Sequence, residues 1–498
     1  MSGGTGAEEG QLGPTHRDSF SRLAISDGLF QVGVAGLAAA AIGVVDNALD
    51  SIIIGVISGA ALGVGIAGRR RFARRQHTAT ARILAALAST WSILVLVGAA
   101  TYLATGTIDS VENALFESAA GFSTVALTTL DPQVLSLPVA LYRGATQWIG
   151  GLLGLFTVVV ALPRTTKGKV QIPKGIGRRA DRLVPTVEIG RRRVVRMYVA
   201  LSLACFTAYL LSGMRFRSAA IHAMTTVSTG GFTDTTDSFL TMNTASKSVA
   251  TVFMFTAGVS FFALFWLVRG NHRRFLASPE LRVYAAIVAT ITIYLVLVVD
   301  DVSVGDALFT AASASSTTGL AVVDWTLFPP GALAILLVAV ATGAMGASAG
   351  SGLRVIRAWL LVLFAAREVR RQLEPSAVIA VTHGDRSVGE DELEDLTGYQ
   401  IAHFGLCAAG AFLLALAGSD LVGSLWAAIS VISTFGPSPL TGAVGDATAL
   451  GSWGQVILLP GMLAGRLTIL PLLYAITSLL QARAWLVRGS RRVLRVRR

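Results

Sequence analysis

The stretch Asp306-Ala-Leu-Phe-Thr-Ala-Ala-Ser-Ala-Ser-Ser-Thr-Thr-Gly-Leu320 decides how this chain is read. It is short, apolar, rich in Ser and Thr, and it closes on a glycine. Counted back from that glycine, the tetrad Ser316-Thr317-Thr318-Gly319 recurs as Ser228-Thr229-Gly230-Gly231 and as Ser433-Thr434-Phe435-Gly436. Ser123-Thr124-Val125-Ala126 is an imperfect fourth copy, and a bulky apolar residue stands at one fixed distance before each tetrad: Phe116, Ile221, Phe309 and Trp426.

About ten helical residues rise roughly 15 Å, half of a ~30 Å hydrocarbon core. Each unit therefore reads as a helix that enters halfway and turns back. Irregular backbone at that depth is tolerated only where protein or a water-filled cavity surrounds it. Four such turns around one axis place backbone carbonyls and Ser/Thr hydroxyls where a dehydrated cation can sit. The helix C-termini would aim their negative dipole ends at that centre, and glycine suits turns whose outward carbonyls demand positive φ. Close helix packing through small residues explains one tetrad but not four at one spacing.

Composition agrees with this membrane reading. Of 498 residues 53% are hydrophobic and 14% charged, and the mean hydropathy is +0.65, which indicates a polytopic membrane protein. The net charge of +12 does not point to nucleic acid, because the basic residues cluster between apolar spans, as the positive-inside rule requires. Cys205 and Cys407 lie inside apolar spans, so no disulfide framework or CxxC metal pattern is expected. His222, His383 and His403 lack ligand-spaced partners and read as structural imidazoles. With no HExxH, GxSxG or P-loop in the sequence, an enzyme is not expected.

In chain order, residues 1–27 read as a disordered cytoplasmic tail, and residues 28–68 as a transmembrane hairpin around the acidic turn Asp46–Asp50. The basic run Arg69–Arg75 fixes the topology. Four repeats of span, half-membrane helix and span follow, at 83–163, 194–269, 281–366 and 397–482. Their second spans include Ser246–Val268 and Gly331–Ala365, and the last repeat opens with Thr397–Ala417. Residues 375–396 read as a small cytoplasmic hairpin or a linker, and 483–498 as a basic cytoplasmic tail. Asp and Glu fall in the loops expected outside, with Arg143, Arg215, Arg217 and Lys247 as basic exceptions there. The expected fold is an all-α polytopic membrane protein: four M1-P-M2 repeats in pseudo-fourfold array around a pore, plus an N-terminal hairpin, with both termini inside.

With the repeats aligned, the chain from about Gly28 to Gln481 resembles the TrkH/KtrB family of potassium transporters, within the Trk/Ktr/HKT superfamily, and TrkH more than KtrB. The resemblance rests on the tetrads, Gln147-Trp-Ile-Gly-Gly151, Ala347-Ser-Ala-Gly-Ser-Gly-Leu-Arg-Val-Ile-Arg357 and Gly465-Arg466-Leu467. It implies gated, channel-like potassium uptake across the plasma membrane, with K+ held at the sixteen tetrad residues. It also implies a homodimer and a cytosolic nucleotide-binding RCK-type (TrkA/KtrA-like) regulatory subunit. No cofactor is expected in this chain itself; the nucleotide belongs to the partner.

The run Thr342-Gly-Ala-Met-Gly-Ala-Ser-Ala-Gly-Ser-Gly352 breaks an apolar stretch too long for one span, and each glycine lowers helix stability by up to ~1 kcal/mol. The resemblance makes it a gating loop, with Gly343, Gly346, Ser348, Gly350 and Gly352 as its hinges. Arg466, deep in the last span, costs at least ~2.5 kcal/mol in lipid. By resemblance it is a cationic barrier beneath the filter; the alternative is a structural ion pair with a carboxylate. Ala126 stands where the family has glycine. Because a serine at this position accompanies sodium-conducting plant members, a Na+-permeable or poorly selective pathway is the alternative function.

Overall fold

A computed structural model describes residues 19–72, 80–157, 187–374, 381–383 and 386–467. Residues 1–18, 73–79 (the end of the basic run), the basic loop 158–186, residues 375–380 and 384–385 and everything after Leu467 lie outside the described residues. So the basic C-terminal tail and the end of the fourth repeat are not described.

The described chain is helical apart from one hairpin, in which Thr382–His383 pairs antiparallel with Arg386–Ser387. Among the described residues seven helices are long and apolar enough to cross a bilayer: Arg22–Gly43, Ala48–Phe72, Ala86–Ala104, Arg192–Leu211, Pro279–Val298, Glu390–Leu416 and Ala447–Leu467. These are the spans an all-helical membrane fold requires.

The first two helices, α1 (Ser19–Gly43) and α2 (Ala48–Phe72), form the N-terminal hairpin. Helix α1 starts well before the expected boundary at residue 28, and Asp27, inside it, pairs with Arg69 at 2.5 Å. Residues 19–27 are therefore helix and not tail, because the basic end of α2 compensates the polar start of α1. The acidic turn between the two helices also has a structural task. Asp46 accepts the Leu137 amide at 2.7 Å and Asp50 the Ser136 hydroxyl at 2.6 Å, so a carboxylate meets the N-terminus of α5 (Leu137–Phe156), where the macrodipole favours it.

Helix α3 (Thr80–Ala104) leads into the first of four short helices, α4 (Val111–Ser123). The other three are α7 (Phe216–Val227), which follows α6 (Val187–Leu211); α12 (Val304–Ser316), which follows α11 (Pro279–Val298); and α16 (Leu421–Ile432), which follows α15 (Glu390–Leu416). They have 13, 12, 13 and 12 residues, about 18–20 Å each. Capping fixes three starts: Ser110, Ser303 and Asp420 each accept an amide of the first turn. The core is built around these helices. Phe116, Ile221, Phe309 and Trp426 are all buried, and Trp426 stacks on Trp325 with centroids 5.1 Å apart.

Two apolar stretches are broken where one helix would be too long or too straight. The expected break after Thr342 separates α13 (Pro330–Thr342) from α14 (Val355–Leu373), and Gly343 takes φ +68° to start it. The second break was not expected. Within Ser246–Val268 the chain bends by 110° between α8 (Thr244–Gly258) and α9 (Phe261–Val268). Backbone groups freed in lipid must be satisfied by protein, and the loop after α13 does this. Met345 N donates to Gly258 O at 3.0 Å, Ala349 N to Ala257 O at 3.1 Å, and Phe261 N to Ala347 O at 2.9 Å.

The acidic run 389–395, assigned from sequence to the hairpin or linker, is helical instead. It forms the start of α15, with Gly389 as N-cap and Glu390, Asp391 and Glu392 in the first turn, where negative charge opposes the helix dipole favourably. Arg367 of α14 grips Glu390 at 2.6 and 3.1 Å. The short helix α10 (His272–Leu276) precedes α11, and α17 (Gly451–Leu467) ends the described chain.

Candidate functional site

Each short helix ends in the same turn. The third tetrad residue donates its N–H to the carbonyl five residues back: Val125 to Ala120 at 2.9 Å, Gly230 to Thr225 at 2.7 Å, Thr318 to Ser313 at 2.9 Å and Phe435 to Ser430 at 2.8 Å. That bond closes a Schellman cap, whose left-handed position is usually glycine. Here it is threonine in all four copies: Thr124, Thr229, Thr317 and Thr434 have φ of 53, 55, 59 and 58°. A β-branched residue in that region is an outlier costing of order 1–3 kcal/mol, and such strain clusters at functional sites. The sequence reading placed positive φ on the glycines. Gly231, Gly319 and Gly436 do adopt it, at 75, 81 and 102°, but Ala126 does not, and the shared strained residue is the threonine.

The four turns meet. A side chain on Gly231 would strike the Thr318 carbonyl and the Ala126 methyl, and one on Gly319 the Phe435 carbonyl and the same methyl. One on Gly436 would lie 2.6 Å from Ala126 N and C. Ala126 N donates to Phe435 O at 3.3 Å, which stitches the first turn to the fourth. All sixteen tetrad residues are buried. Gln147, from the Gln147–Gly151 motif, donates to Gly230 O at 2.7 Å and accepts from Phe232 N at 3.0 Å, so α5 supports the first and second turns from behind.

Polar groups without partners mark the inside of this cluster. The carbonyls of the four left-handed threonines accept no hydrogen bond from any described residue, although these residues are fully buried. The hydroxyls of Ser123, Thr124, Ser433 and Thr434 are also buried and unpartnered. A buried polar group left unpaired is uncommon and points to a missing partner such as water or an ion. Four at equivalent positions supply buried oxygens of the kind that can hold a positive charge.

The loop after α13 lies directly against this cluster. Ala349 O accepts the Thr229 hydroxyl at 3.2 Å, and Ser351 N donates to the Thr317 hydroxyl at 3.0 Å. Thus the threonines of the second and third turns are occupied by the loop, and those of the first and fourth are open. Of the residues singled out in this loop, Gly343 turns the chain out of α13, and Gly350 packs on Ser316 O at a distance that excludes a Cβ. Gly352 faces Gly343, and Ser348 donates to Met345 O at 2.7 Å. Gly346 donates its N–H to Glu280 at 2.6 Å. Arg354 donates to Met345 O, Ser348 Oγ and Gly350 O.

Arg466 completes the arrangement from α17. It donates to Ala349 O at 2.8 Å, Ser351 Oγ at 3.2 Å and Gly150 O at 3.3 Å, while its second terminal nitrogen has no partner. No carboxylate pairs with it among the described residues, so the alternative of a structural ion pair finds no partner. Sequence reasoning missed Glu280, which looked like an ordinary acid at a helix start after Ser278-Pro279. His222 does have a partner, Asp234, at 2.8 Å. Burial raises the Asp234 carboxyl, but the hydrogen bond and charge of His222, with the Ser218 hydroxyl, outweigh it and hold the group down at about 2. Among the described residues no three His, Cys, Asp or Glu side chains gather as a metal site.

Residues 65–486 match the family model described as TrkH, cation transport protein. The Trk system potassium uptake protein TrkH of Halomonas elongata is 29% identical over 425 residues, covering 80% of this chain and 85% of that protein. The Escherichia coli protein of the same name is 27% identical over 408 residues, covering 78% and 83%. The crystal structure of the potassium transporter TrkH from Vibrio parahaemolyticus superposes with a TM-score of 0.80 at 24% identity, over 91% of this chain and 98% of that one. The chain is thus a multi-span membrane protein that belongs to the TrkH family of cation transport proteins.

Proposed function

We propose that this protein is a potassium uptake subunit whose four turns form a channel-like, gated pore. The observation that carries the reading is the set of four buried threonine carbonyls, held in strained left-handed turns and left without protein partners. Main-chain oxygens in such a ring replace the hydration shell of a cation, and the curated relatives are named as potassium uptake proteins. Passive uptake is driven by the membrane potential, about 2.3 kcal/mol per charge per 100 mV. The test is flux of K+, Rb+, Na+ and Li+ into liposomes holding the purified protein. Flux of K+ and Rb+ supports the reading; sealed liposomes with a folded protein overturn it.

The gate in this reading is the loop 343–354, held by Glu280, Arg354 and Arg466. A hydrogen bond to a charged group contributes about 2 kcal/mol, more than a tenfold bias between loop positions. Glu280→Ala is therefore expected to raise K+ flux about tenfold in liposomes. Unchanged flux would remove Glu280 from the gate.

The plasma membrane, cytoplasmic termini, a homodimer and a cytosolic RCK-type regulatory subunit that carries the nucleotide belong to the same proposal. Arg and Lys concentrated on one side support the orientation. The relatives' designation as parts of a Trk system supports a partner subunit.

One observation favours weaker discrimination between K+ and Na+. The Ala126 methyl faces the glycines of two other turns, and its amide engages the Phe435 carbonyl. The fourth level of the ring is thereby asymmetric. Ala126→Gly should raise the K+/Na+ permeability ratio about tenfold, read from reversal potentials. Equal ratios would dismiss this alternative.

A further inference from the structure

The four short helices carry different residues at two equivalent positions, and the difference splits them into pairs. Three residues before the tetrad serine stand Ala120, Thr225, Ser313 and Ser430; six before it stand Glu117, His222, Thr310 and Ala427. In the third and fourth copies the nearer serine does one job. Ser313 Oγ donates to Leu320 O at 2.7 Å, and Ser430 Oγ to Pro437 O at 2.7 Å, so a hydroxyl pins the strand just past the tetrad. In the first copy Ala120 has no hydroxyl, and in the second Thr225 turns back to His222 O at 3.4 Å. Gln147 already holds the second at Phe232 N; beyond that residue, and past the first tetrad, the chain needs another anchor.

The farther position provides it with charge. Glu117 accepts the Thr128 hydroxyl at 3.0 Å and the Thr129 amide at 2.9 Å, both just beyond the first tetrad, and it is held by Arg143 Nε at 2.7 Å. Arg143 also donates to Thr233 O at 3.1 Å and lies over the Phe232 ring at 3.6 Å, so the same pair grips the strand beyond the second tetrad. There His222 meets Asp234, which also accepts the Ser218 hydroxyl. Glu117 and His222 are fully buried and Arg143 is 3% exposed. A buried ion pair is a poor source of stability, because desolvation offsets most of its attraction. One hydroxyl holds the equivalent strands elsewhere in the molecule, so stability alone does not explain the charges. Groups that orient an ion's ligands from behind tune the site they support.

We infer that Glu117–Arg143 and His222–Asp234 are positioning residues that set ion discrimination in the first two turns, fixing by charge what Ser313 and Ser430 fix by one hydroxyl each. The inference rests on the pore reading above. It makes half of the filter ionically braced and half hydroxyl-braced, with Arg143 joining the two ionic quarters.

The test is the K+/Na+ permeability ratio of the full chain in liposomes, from bi-ionic reversal potentials, beside its melting temperature in detergent. Glu117→Gln/Arg143→Met removes both charges at similar volume. Thr128→Val leaves the pair intact and cuts only its hydroxyl link to the strand. The double variant should change the ratio about tenfold, and Thr128→Val should change it in the same direction by less. Thr310→Val, at the equivalent position of the third copy, should leave it unchanged. If the double variant does not fold, Thr128→Val decides alone. Normal K+ flux with an unaltered ratio and only a lower melting temperature would overturn this inference and leave the pore reading standing. No cation flux from the wild type would overturn both.

Discussion

Replacing Gly436 by alanine is expected to lower K+ flux at least about a hundredfold while leaving the protein in the membrane. The residue sits at φ +102°, where an L side chain is strained by about 1–3 kcal/mol. The added methyl would also lie 2.6 Å from Ala126 N and C and 2.8 Å from its O. Backbone cannot move aside there without opening the ring of turns, because Ala126 is itself bonded to Phe435. Ligand positions must hold to within about 0.5 Å for a site to work, so flux should fall far more than stability. Gly442→Ala separates strain from collision. That glycine also has positive φ, at 70°, but nothing lies within 4 Å of a Cβ there. It should lose stability and keep its flux. The check is tracer Rb+ uptake in liposomes; equal loss in both variants would assign the effect to strain alone.

Removing the guanidinium of Arg466 should act in the opposite direction. Arg466→Ala cuts the links to Ala349, Ser351 and Gly150, so the loop loses its hold on α17. It also removes a buried positive charge beside the proposed pore. Two unit charges about 4 Å apart repel by about 4 kcal/mol at an effective dielectric of 20. An increase in single-pore conductance of about tenfold or more is expected. Arg466→Lys keeps the charge but cannot make the three-way bridge; it should keep low conductance while loosening the loop. A planar-bilayer recording checks both. If Arg466→Ala merely lowers yield and melting temperature, the residue is structural.

The tetrads were legible because their spacing is a length, and length decides between crossing a bilayer and entering halfway. The expected ten-residue helix is the observed 12- or 13-residue one, extended at its N-terminus by caps such as Ser110 and Asp420. What the sequence concealed was the strained residue. Threonine disfavours left-handed backbone, so nothing local announces Thr124 or Thr317 as the turning point. Only the fourfold recurrence carries that information.

Other misses share one physical cause: partners distant in sequence. The break at Gly258 is invisible to hydropathy, since the groups that satisfy it come from Met345, Ala347 and Ala349. Arg143 read as a basic exception among the acidic outer loops because its partner Glu117 lies a helix and a turn away; the two are buried together. Glu390 to Glu392 read as part of a hairpin or linker because acids disfavour a membrane span; as the first turn of a helix they are favourable. Hydropathy places the spans, and it is blind to the charges that other segments neutralise.

In the proposed pore four turns surround one axis and offer main-chain oxygens to a dehydrated cation. Anomalous diffraction from crystals grown in Rb+ or Tl+ tests it most directly. A peak is expected on that axis, within ordinary coordination distance of the carbonyls of Thr124, Thr229, Thr317 and Thr434. Bound ions elsewhere in the molecule, with none among those carbonyls, would contradict it.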